Sequence, residues 1–162
     1  MAKISIIMGS RSDLETLKEA IVLLKEFRVG FELKVLSAHR SPKELFRYVE
    51  EAPKKGTKVF IAAAGGAAAL AGVVAAHTTL PVIGVPIETK SLKGLDSLLS
   101  TVQMPAGIPV ACMAIGRAGA KNAAFFALEI MGITDKKIQA RLMRYKKEMR
   151  AKIKTVNRTL KV

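Results

Sequence analysis

The sequence predicts an α/β fold built on one parallel sheet. Three observations carry that expectation. Short apolar runs alternate with amphipathic segments along the 162 residues. Within the amphipathic segments apolar residues recur at the spacing of one helical face. The joints between the two kinds of segment carry Gly, Ser or Pro. Strict alternation of strand and helix requires parallel strands joined by right-handed crossovers, which puts helices on both faces of the sheet.

Taken in order, residues 3–8 form a short β-type run that ends in Gly9-Ser10-Arg11-Ser12-Asp13. Leu14, Leu17, Ile21 and Leu24 then fall on one face of a helix. Phe31, Leu33 and Val35 alternate with other residues in a second strand that stops at Ser37-Ala38-His39-Arg40. Ser41-Pro42-Lys43-Glu44 matches a helix start, with Ser as cap, Pro at the first helical position and Glu positioned for a capping box. A third strand over 58–63 runs into Ala64-Gly65-Gly66, and the small residues of 67–76 are expected to pack as a helix. A fourth strand over 81–87, a helix over 92–102, a fifth strand over 109–115 and a helix over 118–131 complete the alternation. The chain is expected to be a single domain over 1–162, with 134–162 a basic C-terminal helix and tail.

Five such units favour the flavodoxin-like three-layer sandwich with strand order 2-1-3-4-5, whose ligands bind where the crossover direction reverses. The loops meeting there follow strands 1, 2 and 3. The first offers Gly9, the hydroxyls of Ser10 and Ser12, and the N–H groups of a helix mouth, an anion cradle suited to a single phosphate. It is neither a Walker A loop nor a dinucleotide fingerprint. Ser12 or Asp13 could equally serve as a plain helix cap. In the second loop Arg40 can fork onto a phosphate, while His39 beside it can exchange a proton near neutral pH. The third loop, Ala64 to Ala68, is almost free of side chains and would form a floor for a ligand, although close helix–strand packing would use small residues too.

Composition narrows the function classes. With 50% hydrophobic and 25% charged residues the chain is too apolar for disorder. The lone Cys112, in an apolar run, allows no intrachain disulfide and reads as a buried, inert thiol. His77 reads as a helix-end residue, and two distant histidines without acidic neighbours give no metal site. No signal-like or membrane-spanning stretch opens the sequence, so a cytoplasmic location is expected. The net charge of +14 is concentrated from Asp135 onward, where eleven Lys and Arg face two acidic residues. A nucleic-acid-binding protein is the reading from another class. Only 5% aromatic residues and the lack of a binding motif argue against it as the primary role.

At its loops the sequence resembles the carboxyaminoimidazole ribonucleotide mutase family, PurE, over nearly the whole chain. The resemblance rests on Gly9-Ser10-Arg11-Ser12-Asp13, Ser37-Ala38-His39-Arg40-Ser41-Pro42 and Ala64-Gly65-Gly66-Ala67-Ala68. Later stretches also fit: Gly94-Leu95-Asp96-Ser97-Leu98-Leu99, residues 102–110 and Gly119-Ala120-Lys121-Asn122. It implies de novo purine biosynthesis: transfer of a carboxylate from the exocyclic nitrogen of N5-carboxyaminoimidazole ribonucleotide to carbon 4, by release and recapture of CO2. His39 is then the general acid and base. Ser10, Ser12, Asp13, Ser37, Arg40, Gly66 and Ala67 are the implied substrate-binding residues. No biotin, metal or other cofactor is implied, and the implied assembly is a homo-octamer in which a C-terminal helix reaches a neighbour. Ile138, Leu142, Tyr145, Met149, Ile153 and Val156 form a stripe suited to that role. Direct carboxylation of aminoimidazole ribonucleotide by CO2 is the alternative within the family. Those relatives tend to carry Lys after the catalytic His and Ser-Asn in the third loop, so Arg40 and Gly65-Gly66 favour the mutase. Ala69 and Ala71 depart from the pattern, since family mutases usually carry His and Pro there.

Overall fold

In a computed structural model, described over residues 3–160, the chain divides into two compact units that meet in sequence at Ala127 and Leu128. The first holds β1 (Ile4–Met8), α1 (Leu14–Glu26), β2 (Phe31–Val35), α2 (Pro42–Glu51) and β3 (Val59–Ala64). It continues with α3 (Leu70–Ala76), β4 (Val82–Pro86), α4 (Leu95–Val102) and β5 (Ala111–Cys112). Helix α5 (Gly116–Gly132) spans the division, and α6 (Lys136–Thr159) belongs to the second unit.

The five strands are all parallel, in the order β2-β1-β3-β4-β5, as the alternation of elements predicts. Strands β1, β3 and β4 are central and buried on both sides, which is why they read as continuous apolar runs. On one face Ile7, Phe60, Ala62 and Val82 pack with Leu45 and Val49 of α2 and with Leu70, Ala71 and Val74 of α3. Neighbouring residues Ile6, Ile61 and Ile83 point to the other face by the two-residue period of a strand, and all three are fully buried. On that side Phe27, at the end of α1, meets Phe125 of α5 edge to face, with ring centroids 6.1 Å apart.

One polar group is buried within β1. Ser5 is fully buried, and its hydroxyl lies 2.6 Å from that of Tyr48, which in turn donates to Glu32 at 3.2 Å. Burial, with Glu32 adding to it, pushes the Tyr48 hydroxyl up to about 12, so it remains a proton donor in this chain of hydrogen bonds.

Three elements differ from expectation, each for a local reason. Helix α3 starts at Leu70 rather than at residue 67, because Gly66 takes φ +70° and the N–H groups of Ala68 and Ala69 donate to Gly66 and Ala67 in tight turns. Helix α4 starts at Leu95 rather than at residue 92, because Lys93 and Gly94 both have positive φ, 52° and 87°. Strand β5 is only two residues long. It follows Pro109, which has no N–H to give a ladder, and it lies at the sheet edge.

In the second unit, Asp135 caps α6 by accepting from the N–H groups of Lys137 and Ile138 at 3.0 and 3.2 Å. Ile138 and Leu142 are buried, and Lys146 pairs with Glu129 at 2.7 Å. Among the described residues no helix is long and apolar enough to cross a membrane.

Candidate active site

At the carboxyl ends of β1, β2, β3 and β4 lies an open cavity of about 780 Å³, at the switch point where the sequence places it. Backbone bonds hold the strand ends in register. Gly9 N–H donates to Ala63, Leu36 to Met8 and Ile87 to Ala64, each at about 3 Å. All the loops that line the cavity therefore spring from one rigid edge.

The first loop is a turn of 3₁₀ helix, Arg11–Asp13, with Ser10 as its cap. Ser10 N–H donates to Asp13 Oδ2 at 3.0 Å, while Ser12 Oγ donates to Ser10 Oγ at 2.9 Å and to Asp13 Oδ1 at 3.3 Å. The cap and the cavity lining are thus the same residues. Asp13 is buried, and desolvation pushes its carboxyl above the ordinary aspartate value. The Ser10 and Gly9 N–H groups, the Ser12 hydroxyl and the Arg40 charge oppose that shift without cancelling it.

The capping box expected at Ser41 does not form. Ser41 Oγ instead accepts from Ser37 N–H at 2.9 Å and donates to Ser37 O at 3.3 Å, closing the second loop on itself. Ser37 Oγ accepts from Arg40 N–H at 3.2 Å and from Arg40 Nε at 3.4 Å, and Arg40 Nη2 donates to Gly9 O at 2.8 Å. Arg40 consequently bridges the first and second loops. His39 sits on the same turn, exposed to the cavity, with no hydrogen-bond partner among the described residues.

The floor is Gly65 and Ala67, with Ala69 and Leu70 beyond it. Gly66 does not line the cavity: its N–H donates to the fully buried Ser97 at 2.9 Å, and Ser97 Oγ donates to Ile87 O at 2.7 Å. Ser97 of α4 therefore ties the third loop to the end of β4. Ser10, Ser12, Asp13, Ser37, His39, Arg40 and Ala67 all line the one cavity. His77 lies outside it at the end of α3, its ring stacked on Phe46 with centroids 4.1 Å apart. Cys112 is half-buried, and burial pushes its thiol up from the ordinary value, as suits an unreactive side chain. Among the described residues no three His, Cys, Asp or Glu side chains gather as a metal-binding group.

The AIR carboxylase family model matches residues 3–152. The chain belongs to this family. The N5-carboxyaminoimidazole ribonucleotide mutase of Saccharolobus solfataricus is 53% identical over 150 residues, covering 93% of this chain and 94% of that protein. The protein of the same name from Bacillus subtilis is 55% identical over 139 residues, 86% of each. The crystal structure of Treponema denticola PurE superposes with a TM-score of 0.90 at 27% identity, covering all of both chains.

This AIR carboxylase family member also brings to the cavity a fourth loop that sequence reasoning missed. Ile87, Glu88, Thr89, Lys90 and Lys93 follow β4 and line the cavity beside the third loop. The signal was present in the predicted strand order, which seats β4 next to β3, and in the abrupt change from an apolar strand to Glu-Thr-Lys.

Proposed function

We propose that this chain is an enzyme of purine biosynthesis that converts N5-carboxyaminoimidazole ribonucleotide to its 4-carboxy isomer, with His39 as general acid and base. The observation that carries the reading is the Ser37–Ser41 turn. It presents a cation and an unpartnered imidazole to one cavity, next to a hydroxyl-rich loop and a floor without side chains. The relatives described above bear the name of this activity over most of their length.

The chemistry asks little of side chains. Loss of CO2 breaks the bond from the exocyclic nitrogen and leaves an aminoimidazole whose carbon 4 is nucleophilic. Carbon 4 then attacks the same CO2, its proton leaves to His39, and a proton returns to the exocyclic nitrogen, so the sum is an isomerisation. Ser10, Ser12 and Arg40 hold the phosphate, with Asp13 and Ser37 fixing their positions. Ala67, beside Gly65, lets the ring lie against the backbone, and Gly66 supports that floor through Ser97. Holding ring and CO2 in contact supplies the proximity that the recapture of CO2 needs. The working unit is a homo-octamer in the cytoplasm. Exposed apolar stripes on α4 and α6 support the assembly.

The test is formation of 4-carboxyaminoimidazole ribonucleotide from two starting materials, the N5-carboxylated isomer and free aminoimidazole ribonucleotide with bicarbonate. His39→Asn should cut turnover of the N5-carboxylated isomer by roughly 10²- to 10⁴-fold while the fold is retained by circular dichroism. Turnover of free aminoimidazole ribonucleotide alone would make the enzyme a direct carboxylase.

A further inference from the structure

The described cavity is unevenly supplied with cations. On the side of the first two loops stands Arg40, already bonded to Gly9 O and Ser37 Oγ and lying in the field of Asp13. Beyond the floor stand Lys90 and Lys93, for which no hydrogen bond or ion pair exists among the described residues. Glu88 lines the same stretch, so the fourth loop carries one net positive charge toward the cavity.

The loop is built to hold a fixed shape. Thr89 Oγ1 donates to Asp96 at 2.8 Å and accepts from Gly94 N–H at 3.3 Å, so α4 pins the turn from below. A Cβ at Gly94 would stand 2.6 Å from Ile115 Cγ2 and 3.1 Å from Glu88 Cα, which leaves room for glycine alone. Lys93 is held at φ 52°, a left-handed conformation that costs a lysine where it would cost glycine nothing. A cation kept in an unfavourable backbone state at a cavity wall, with no partner, points to a ligand as its partner.

The proposed substrate has two anionic groups, a phosphate and a carboxylate. The strand order separates β1 from β4 by β3, about 10 Å across the sheet. A ribonucleotide with its phosphate on the first loop extends by a distance of that order to the substituents of its ring. Resting on the reading of the site given above, we propose that Lys90 and Lys93 form a second cationic arm that binds the substrate's carboxylate, while Arg40 serves the phosphate. The lysines are binding residues here, not proton carriers.

The experiment compares two nucleotides by calorimetric titration: 4-carboxyaminoimidazole ribonucleotide and aminoimidazole ribonucleotide, which lacks the carboxylate. In the Lys90→Ala/Lys93→Ala double variant the carboxylated nucleotide should bind about tenfold more weakly, from the loss of a charge-assisted contact. The carboxylate-free nucleotide should be held as by the unaltered enzyme, and Lys90→Arg/Lys93→Arg should retain most of the affinity for both. Equal weakening of both nucleotides would place the arm on the phosphate or on the fold, and no weakening of either would remove it from the site; both results overturn the proposal. Failure of the unaltered enzyme to bind either nucleotide would overturn the functional reading itself, and the arm with it.

Discussion

Asp13 shows how one side chain can serve a cap and a site at opposite cost. Its carboxylate accepts the Ser10 N–H, yet burial raises its folded-state pKa above the unfolded value of about 3.9. The folded protein therefore holds this proton more tightly than the unfolded chain. The stabilisation this represents is fully present below the unfolded pKa and is lost as pH rises through the folded one. Ionisation of Asp13 as pH rises therefore works against the fold. Asn at this position keeps an oxygen for Ser10 without the charge. Asp13→Asn should raise the melting temperature at pH 7, with the gain shrinking to nothing as pH falls below about 3.9, while turnover drops. Thermal melts across pH 3 to 8 check this, and a variant less stable than the parent at pH 7 would show that the charge itself holds the loop. Of the residues in the cavity wall, His39, Arg40 and the serines were legible because their types stand out at strand ends. Ser41 was misread because its sequence neighbours match a capping box, whereas its hydroxyl closes the Ser37 turn.

At the scale of elements, the close approach of α4 to β4 sets the site. A Cβ on Gly84 would overlap Thr101 Cγ2 and lie 3.0 Å from Val110 Cγ1 and 3.4 Å from Ala71 Cβ. Thr101 is buried and bonded to Ser97 O at 2.7 Å, so it has little freedom to yield. Gly84→Ala should cost about 1–3 kcal/mol of stability by overpacking. It should also lower activity, because α4 carries Ser97 and Asp96, which fix the third and fourth loops. Thr101→Ser removes the clashing methyl and should restore much of the loss in the double variant. Urea melts of the three variants measure it, and additive effects would argue against the contact. Periodicity revealed the order of elements but not where helices begin. Apolar spacing continues through Leu92 into α4 although Lys93 and Gly94 turn the backbone left-handed, and that turn is what brings the fourth loop to the cavity. Extending the helix back to residue 92 shortens that loop to 88–91 and absorbs Lys93 into the helix, although Lys90 stays in the loop.

At the scale of the molecule, the strand order and the cavity at its switch point follow from the alternation of elements, and assembly is where the sequence says least. An apolar stripe reads the same whether it meets its own core or another copy. Along the C-terminal stripe only Ile138 and Leu142 are buried in the single chain, whereas Met149, Ile153 and Val156 are each more than half exposed. On α4, Leu95, Leu99 and Val102 lie at helical spacing and are 48–50% exposed, and Leu92, in the loop before the helix, is 57% exposed, so the four leave open an apolar surface that a lone chain rarely leaves uncovered. The net charge of +14 makes random association between copies unfavourable, so any assembly must draw on complementary apolar contact. Burial of a stripe of four large aliphatic side chains in each of many copies supplies such a contact at about 25 cal/mol per Å². Leu95→Glu with Leu99→Glu would put two uncompensated charges into that face, each costing roughly 3–5 kcal/mol if buried unpaired. The unaltered enzyme should weigh as eight copies by mass photometry and the double variant as a smaller species with its circular dichroism unchanged. An unaltered enzyme that weighs as one copy at micromolar concentration would leave these faces to another partner.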